Sequence, residues 1–169
     1  PVIQPGRNPD VPSLKAPLTP SSLVTCTDCH NSDTGPRMGG VGPNGPPGSN
    51  FEFLLERAYS TRDYTPERPT SYALCYKCHD RDVLQSDASA FATHRRHVVD
   101  GATPCSACHT AHGVSALDGT PTGNARLIDF DTALVAPGPR GLREYQTLGG
   151  RTGTCTVSCH GVVHDQTRY

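Results

Sequence analysis

The chain carries eight cysteines and eight histidines, and their spacing is regular. Every cysteine belongs to one of four pairs, and each pair runs straight into a histidine. The four are Cys26-Thr27-Asp28-Cys29-His30, Cys75-Tyr76-Lys77-Cys78-His79, Cys105-Ser106-Ala107-Cys108-His109 and the one-residue-longer Cys155-Thr156-Val157-Ser158-Cys159-His160. Chance gives about 0.02 copies of C-x-x-C-H in a chain of this composition. Two thiols at this spacing can add to two vinyl groups along one side of a porphyrin. The imidazole that follows can then turn onto the iron from one face, which is the logic of a c-type haem attachment site. The longer loop of the fourth copy can still span the two vinyl positions. The motifs thus imply four haem c groups bound through Cys26/Cys29, Cys75/Cys78, Cys105/Cys108 and Cys155/Cys159, with His30, His79, His109 and His160 as iron ligands. Two other chemistries use paired cysteines. Four-cysteine zinc sites do not need a histidine after every pair, and thioredoxin-type redox pairs need a βαβ context that the sequence does not show.

Four histidines remain: His94, His97, His112 and His164. Four irons need four distal ligands, so bis-histidine coordination uses every histidine in the chain. His94 and His97 stand three apart and share one face of a helical turn. His112 follows His109 by three residues and His164 follows His160 by four. Each is too close to its motif histidine to reach the opposite face of the same iron, so both are expected on neighbouring haems. Met38, the only methionine, is the alternative axial ligand for the first haem and would raise its potential. Iron with two histidine ligands has no open position for a substrate, which points to electron transfer and away from catalysis.

The elements that position these residues have little apolar material to work with. Hydrophobic residues make up 34% of the chain, Trp is absent, and there are 17 Gly and 16 Pro. Ordering a backbone residue costs roughly 1–2 kcal/mol, so a compact fold needs some other source of core. Four porphyrins, each a large apolar plate, would supply it. The expected fold is therefore mostly irregular and coil-rich, with a few short helices and a small β-hairpin wrapped around a haem stack. Residues 1–24 hold six prolines and read as an extended arm, and residues 25–169 read as one tetrahaem domain. Within it, Asn50 is expected to cap a helix over Phe51–Tyr59, and Ser71 a short helix that delivers the second motif. Val83–Val99 carries a broken helical pattern. Arg126–Phe130 and Ala133–Val135 look extended, and Tyr145–Leu148, Gly149-Gly150 and Thr154–Val157 look like a hairpin. Arg outnumbers Lys 13 to two, and the planar Arg side chain suits haem propionates. A net charge of −1 gives no basis for nucleic-acid or anionic-membrane binding. No apolar run approaches a membrane span. The start at Pro1 is expected to be that of a mature or trimmed form.

These motifs resemble those of multihaem c-type cytochromes. His94-Arg95-Arg96-His97, eight residues before Cys105, is similar to the two distal histidines of tetrahaem cytochrome c3, which suggests His94 for the third haem. Cys105–His112, Arg126–Asp131 and Gly153–His164 resemble the closing module of secreted multihaem cytochromes, some of which polymerise into extracellular filaments. The resemblance implies a periplasmic or extracellular location, self-association into a filament, and exchange of electrons with other redox proteins or extracellular acceptors. A soluble periplasmic carrier and a haem subunit docked on a membrane complex fit the same residues.

Overall fold

A computed structural model describes residues 10–45, 48–115 and 117–169. Turns and coil dominate, as the composition leads one to expect. The helices are α1 (Ala73–Cys78), which contains most of the second motif, and α2 (Arg81–Leu84). Asp80 caps α2 by accepting the N–H groups of Asp82 and Val83 at 2.9 and 3.1 Å. A single π turn spans Arg96–Asp100 and ends the segment that bears His94 and His97. Single 3-10 turns cover the first and third cysteine pairs, at Cys26–Asp28 and Cys105–Ala107.

The sheet is antiparallel and C-terminal. Strands β1 (Ala136–Pro137), β2 (Glu144–Gly149), β3 (Thr152–Cys159) and β4 (Val162–Arg168) are arranged around β3. β4 pairs along Thr154–Cys159, and β1 and β2 share the other edge of β3. The hairpin expected over residues 145–157 is present as β2–β3, with Tyr145 opposite Cys155. Gly149 and Gly150 both take positive φ in its turn (91° and 58°), where a side chain would be strained. β4 was not expected, because Val162–Arg168 alternates poorly.

Four expectations need correction. Phe51–Tyr59 is not a helix: only Glu52–Leu54 turns, because Phe53 and Leu54 take left-handed φ of 60° and 54°. Asn50 instead bonds Asp33 with its N–H and its side-chain amide. Ser71 does not cap α1; its hydroxyl donates to the Pro66 carbonyl, and the buried Tyr72 takes the cap position. Arg126–Phe130 begins with a second left-handed pair, Arg126 and Leu127, both at 60°. Ala133–Val135 is a turn closed on the Asp131 carbonyl. Of the proline-rich arm, residues 1–9 lie outside the described residues. The part from Ser13 to Lys15 lies along the second motif: Lys15 N–H donates to the Cys78 carbonyl, and Asp80 N–H donates to that of Ser13.

The apolar core is small. Among the described residues one cluster forms, from Ala107, Val135 and Val157, flanked by Cys108, Phe130, Leu134 and Cys155. Polar ties do much of the remaining work. Glu56 is fully buried and accepts Lys77 Nζ at 2.8 Å, while its Oε2 has no partner among the described residues. The same Nζ reaches the Asp28 carbonyl at 2.6 Å, so one ammonium joins the first two motifs. Breaking such a pair from one side strands a buried charge. Lys77→Met is expected to cost about 3 kcal/mol, and Glu56→Gln/Lys77→Met less than Lys77→Met alone; denaturant unfolding of the intact protein measures both. Glu67 is equally enclosed and takes Arg81 Nε at 2.9 Å, which holds its carboxyl below the ordinary 4.5. A depressed carboxyl stabilises the fold above its unfolded value and loses that contribution as the pH falls. The stability advantage of the wild type over Glu67→Gln should therefore be full at pH 7 and shrink on acidification below 4.5, as followed by thermal unfolding.

Candidate functional site

The first three motifs are built by one device used three times. Each motif histidine makes an isolated antiparallel bridge with a residue from elsewhere: His30 with Leu55, His79 with Leu14 and His109 with Ile128. The residue after each bridge partner donates its N–H to the carbonyl of the motif's second cysteine: Glu56 to Cys29, Lys15 to Cys78 and Asp129 to Cys108, each at 2.9 Å. The same segment then holds the imidazole. His30 Nδ1 donates to the Phe53 carbonyl at 2.7 Å and His109 Nδ1 to that of Arg126 at 2.9 Å, while His79 Nδ1 bonds Ser13 Oγ at 2.9 Å. The left-handed residues Phe53 and Arg126 are the ones whose carbonyls are aimed this way. Single left-handed non-glycine residues cost of order 1 kcal/mol and persist where the surroundings enforce them.

His94 and His97 are held alike. His94 Nδ1 bonds Ser89 Oγ at 2.8 Å and His97 Nδ1 donates to the Thr93 carbonyl at 2.9 Å. Phe91 packs edge-on against His94 and tilted against His97, with centroids at 5.0 and 5.3 Å. In all five imidazoles Nδ1 is tied. Where the acceptor is a carbonyl, Nδ1 must carry the proton and Nε2 is left with a bare lone pair. That is the tautomer of a metal-ligating histidine whose second nitrogen is fixed by an outer partner. Burial also lowers the pKa of His79 to about 4 and of His94 to about 3, and lowers those of His109 and His164, which keeps these rings neutral.

The rings come in twos. His30 faces His112 with centroids 6.2 Å apart and planes within 4°. His94 faces His109 at 6.3 Å and 34°, and His97 faces His164 at 6.2 Å and 33°. A ring nitrogen binds a transition metal at about 2.0–2.1 Å and lies about 1.1 Å from the ring centre, so two imidazoles on opposite sides of one ion stand about 6.3 Å apart. Among the described residues no three or more His, Cys, Asp or Glu side chains converge on one point. The ring facing His30 is that of His112. His79 and His160 are not brought to this spacing from any other imidazole among the described residues. His160 sits in a left-handed turn at φ 50° and turns its Nε2 to Asp63, at 2.9 and 3.0 Å from the two carboxylate oxygens. Its ring stacks on Tyr64 at 4.4 Å.

The eight cysteines are free thiols. Burial raises Cys108 to about 12 and Cys155 to about 11 and also raises Cys29, Cys78 and Cys159, while Cys105 is raised first by its hydrogen bond to Cys75 and then by burial. Cys75 is the exception, lowered by a hydrogen bond from Cys105. Neighbouring motifs meet in chain order: Cys29 feels the charge of Cys78, Cys75 bonds Cys105, and Cys108 feels Cys155 and Cys159.

Ser13, Ser89, Glu56, Asp63 and Tyr64 were not singled out from the sequence. Lys77 offered a signal: a lysine inside a motif, in a chain with only two, is out of pattern. No protein-family model matches the chain, and no curated protein and no solved structure matches it.

Proposed function

We propose that this chain is an electron-transfer protein, a c-type cytochrome that carries four covalent haems. The observation that carries the reading is the set of three imidazole pairs at 6.2–6.3 Å, in which His30, His94, His97 and His109 are tied at Nδ1. The residues present fit the group in three further ways. The cysteines are paired, unbridged and adjacent to these rings. The side-chain core is too small for a chain of this length, which suits a fold whose centre is prosthetic. Six imidazoles stand in three pairs, and among the described residues no larger cluster of metal-ligating side chains forms, as suits a metal held equatorially by a macrocycle.

Cys26/Cys29, Cys75/Cys78, Cys105/Cys108 and Cys155/Cys159 would form the thioethers. His30 with His112, and His94 with His109, would be the axial pairs of the first and third groups. When bound, haem iron between two imidazoles supplies a one-electron ferric/ferrous couple of low potential with no vacant position. The chain's own work is to fix His30, His79, His94, His97 and His109 by Nδ1, to keep the buried imidazoles neutral, and to hold successive motifs against one another. The enzyme reading would need an open axial position.

The broader setting we propose is export, with assembly of copies into an extracellular filament. The support is the resemblance of the second half to secreted multihaem cytochromes, together with an open outer edge on β4 where Val162 and Val163 are exposed. No helix among the described residues is long and apolar enough to cross a membrane.

Intact mass combined with a pyridine haemochrome assay should return four covalent haems per chain; none would end the proposal. Negative-stain microscopy at high concentration should show fibres, and isolated particles alone would leave a soluble carrier. Ser89→Ala removes the outer partner of His94 and makes that imidazole less basic. It should shift one of four redox couples upward with the haem count unchanged, as followed by spectroelectrochemical titration.

A further inference from the structure

The second motif is held from a different direction than the first and third. The pins of His30 and His109 come 23 and 17 residues later in the chain. The same count onward from His79 reaches the π turn Arg96–Asp100, which carries His97. The pin of His79 comes instead from 66 residues earlier, ahead of the first motif.

The three pins share a turn. The residue that bridges the motif histidine donates its N–H to the carbonyl three residues before it: Leu55 to Glu52, Ile128 to Ala125 and Leu14 to Val11. In the first two of these turns both central residues are left-handed, and the carbonyl of the earlier one, Phe53 or Arg126, takes Nδ1. The central residues of the N-terminal turn are Pro12 and Ser13. A proline ring holds φ at about −65°, so this turn cannot take the left-handed form. The group that meets His79 Nδ1 is accordingly a side chain, the Ser13 hydroxyl, at 2.9 Å. Ser13 is only 3% exposed, so its loss leaves a buried N–H without an acceptor.

The segment is fastened on both sides of Ser13. Before it, the Asp10 carbonyl accepts Arg126 Nη1 at 2.8 Å, and the Asp10 carboxylate takes Arg151 Nε at 2.6 Å. After it, Lys15 Nζ donates to the Tyr76 carbonyl, inside the second motif, at 2.7 Å. Arg126 thus serves two imidazoles. Its carbonyl holds His109, and its guanidinium holds the segment that holds His79.

We propose that Asp10–Lys15 is a strap that completes the second haem site, and that Ser13 is its positioning residue, holding His79 by Nδ1 and setting the potential of the second couple alone. This rests on the tetrahaem reading above.

The test uses the full-length holoprotein, with haems counted by intact mass and couples resolved by spectroelectrochemical titration. Ser13→Ala removes the acceptor and makes the His79 imidazole less basic. It should keep four covalent haems and move one of four couples upward. Ser13→Thr keeps a hydroxyl and should leave all four couples in place. Ser89→Ala acts through His94, on a different iron, so Ser13→Ala/Ser89→Ala should move two couples, each by its single-variant shift. Four unmoved couples in Ser13→Ala would overturn the proposal. So would a Ser13→Thr that shifts as far as Ser13→Ala, or a double variant that moves only one couple. If the variants do not mature, proton NMR of wild type isotope-labelled at histidine decides. The His79 Nδ1–H should exchange slowly with solvent and show a contact to the Ser13 β-protons, and a proton without that contact sinks the assignment. A wild type without covalent haem would overturn the tetrahaem reading itself, and the mass shows that separately.

Discussion

The Nδ1 proton of a motif histidine has to go somewhere, and the fold is arranged around where it goes. In the first three motifs a carbonyl or a serine hydroxyl bonds Nδ1, on a segment that also bridges the histidine's own backbone and satisfies the preceding cysteine's carbonyl. One short stretch thus fixes the ring's rotation, its tautomer and the direction of its second nitrogen. Coil can do this where it is pinned at three points, and helices or sheets are not required. That is why a chain so poor in regular structure still aims its imidazoles to within a narrow spacing.

The sequence shows the motifs and the turn chemistry far better than the pins. Cys-x-x-Cys-His repeats, the glycine turn at Gly149-Gly150 and the even count of histidines are local signals, legible without a partner. Phe53, Arg126 and Ser13 are not, because what they supply is a carbonyl or a hydroxyl at the right point in space. Nothing in the identity of Phe53 announces that its backbone is left-handed; that conformation is imposed by the bridge to His30. The helix expected after Asn50 failed for the same reason: tertiary pinning outweighed a weak local propensity. The suggestion of His94 for the third motif came, by contrast, from the resemblance to the cytochrome c3 pattern; the His94 ring lies 6.3 Å from that of His109.

Electrostatics replaces apolar packing between the first two motifs. Glu56 sits where a leucine would serve a conventional core, and its carboxylate is met by Lys77 from the neighbouring motif at 2.8 Å and by Arg57 Nε at 3.4 Å. Such a pair contributes little net stability, but it penalises any arrangement in which the two motifs are not adjacent. The cluster of Ala107, Val135 and Val157 plays the matching part between the third and fourth.

The pins also set an order of assembly. His109 is fixed from 17 residues away, His30 from 23 and His79 from 66. Loop-closure entropy grows with the logarithm of that separation, so the last costs about 1.2 kcal/mol more than the first. The loop closed by Ser13 and His79 also encloses the whole of the first motif. Closing the first motif's loop beforehand shortens the chain that Ser13 and His79 must still close.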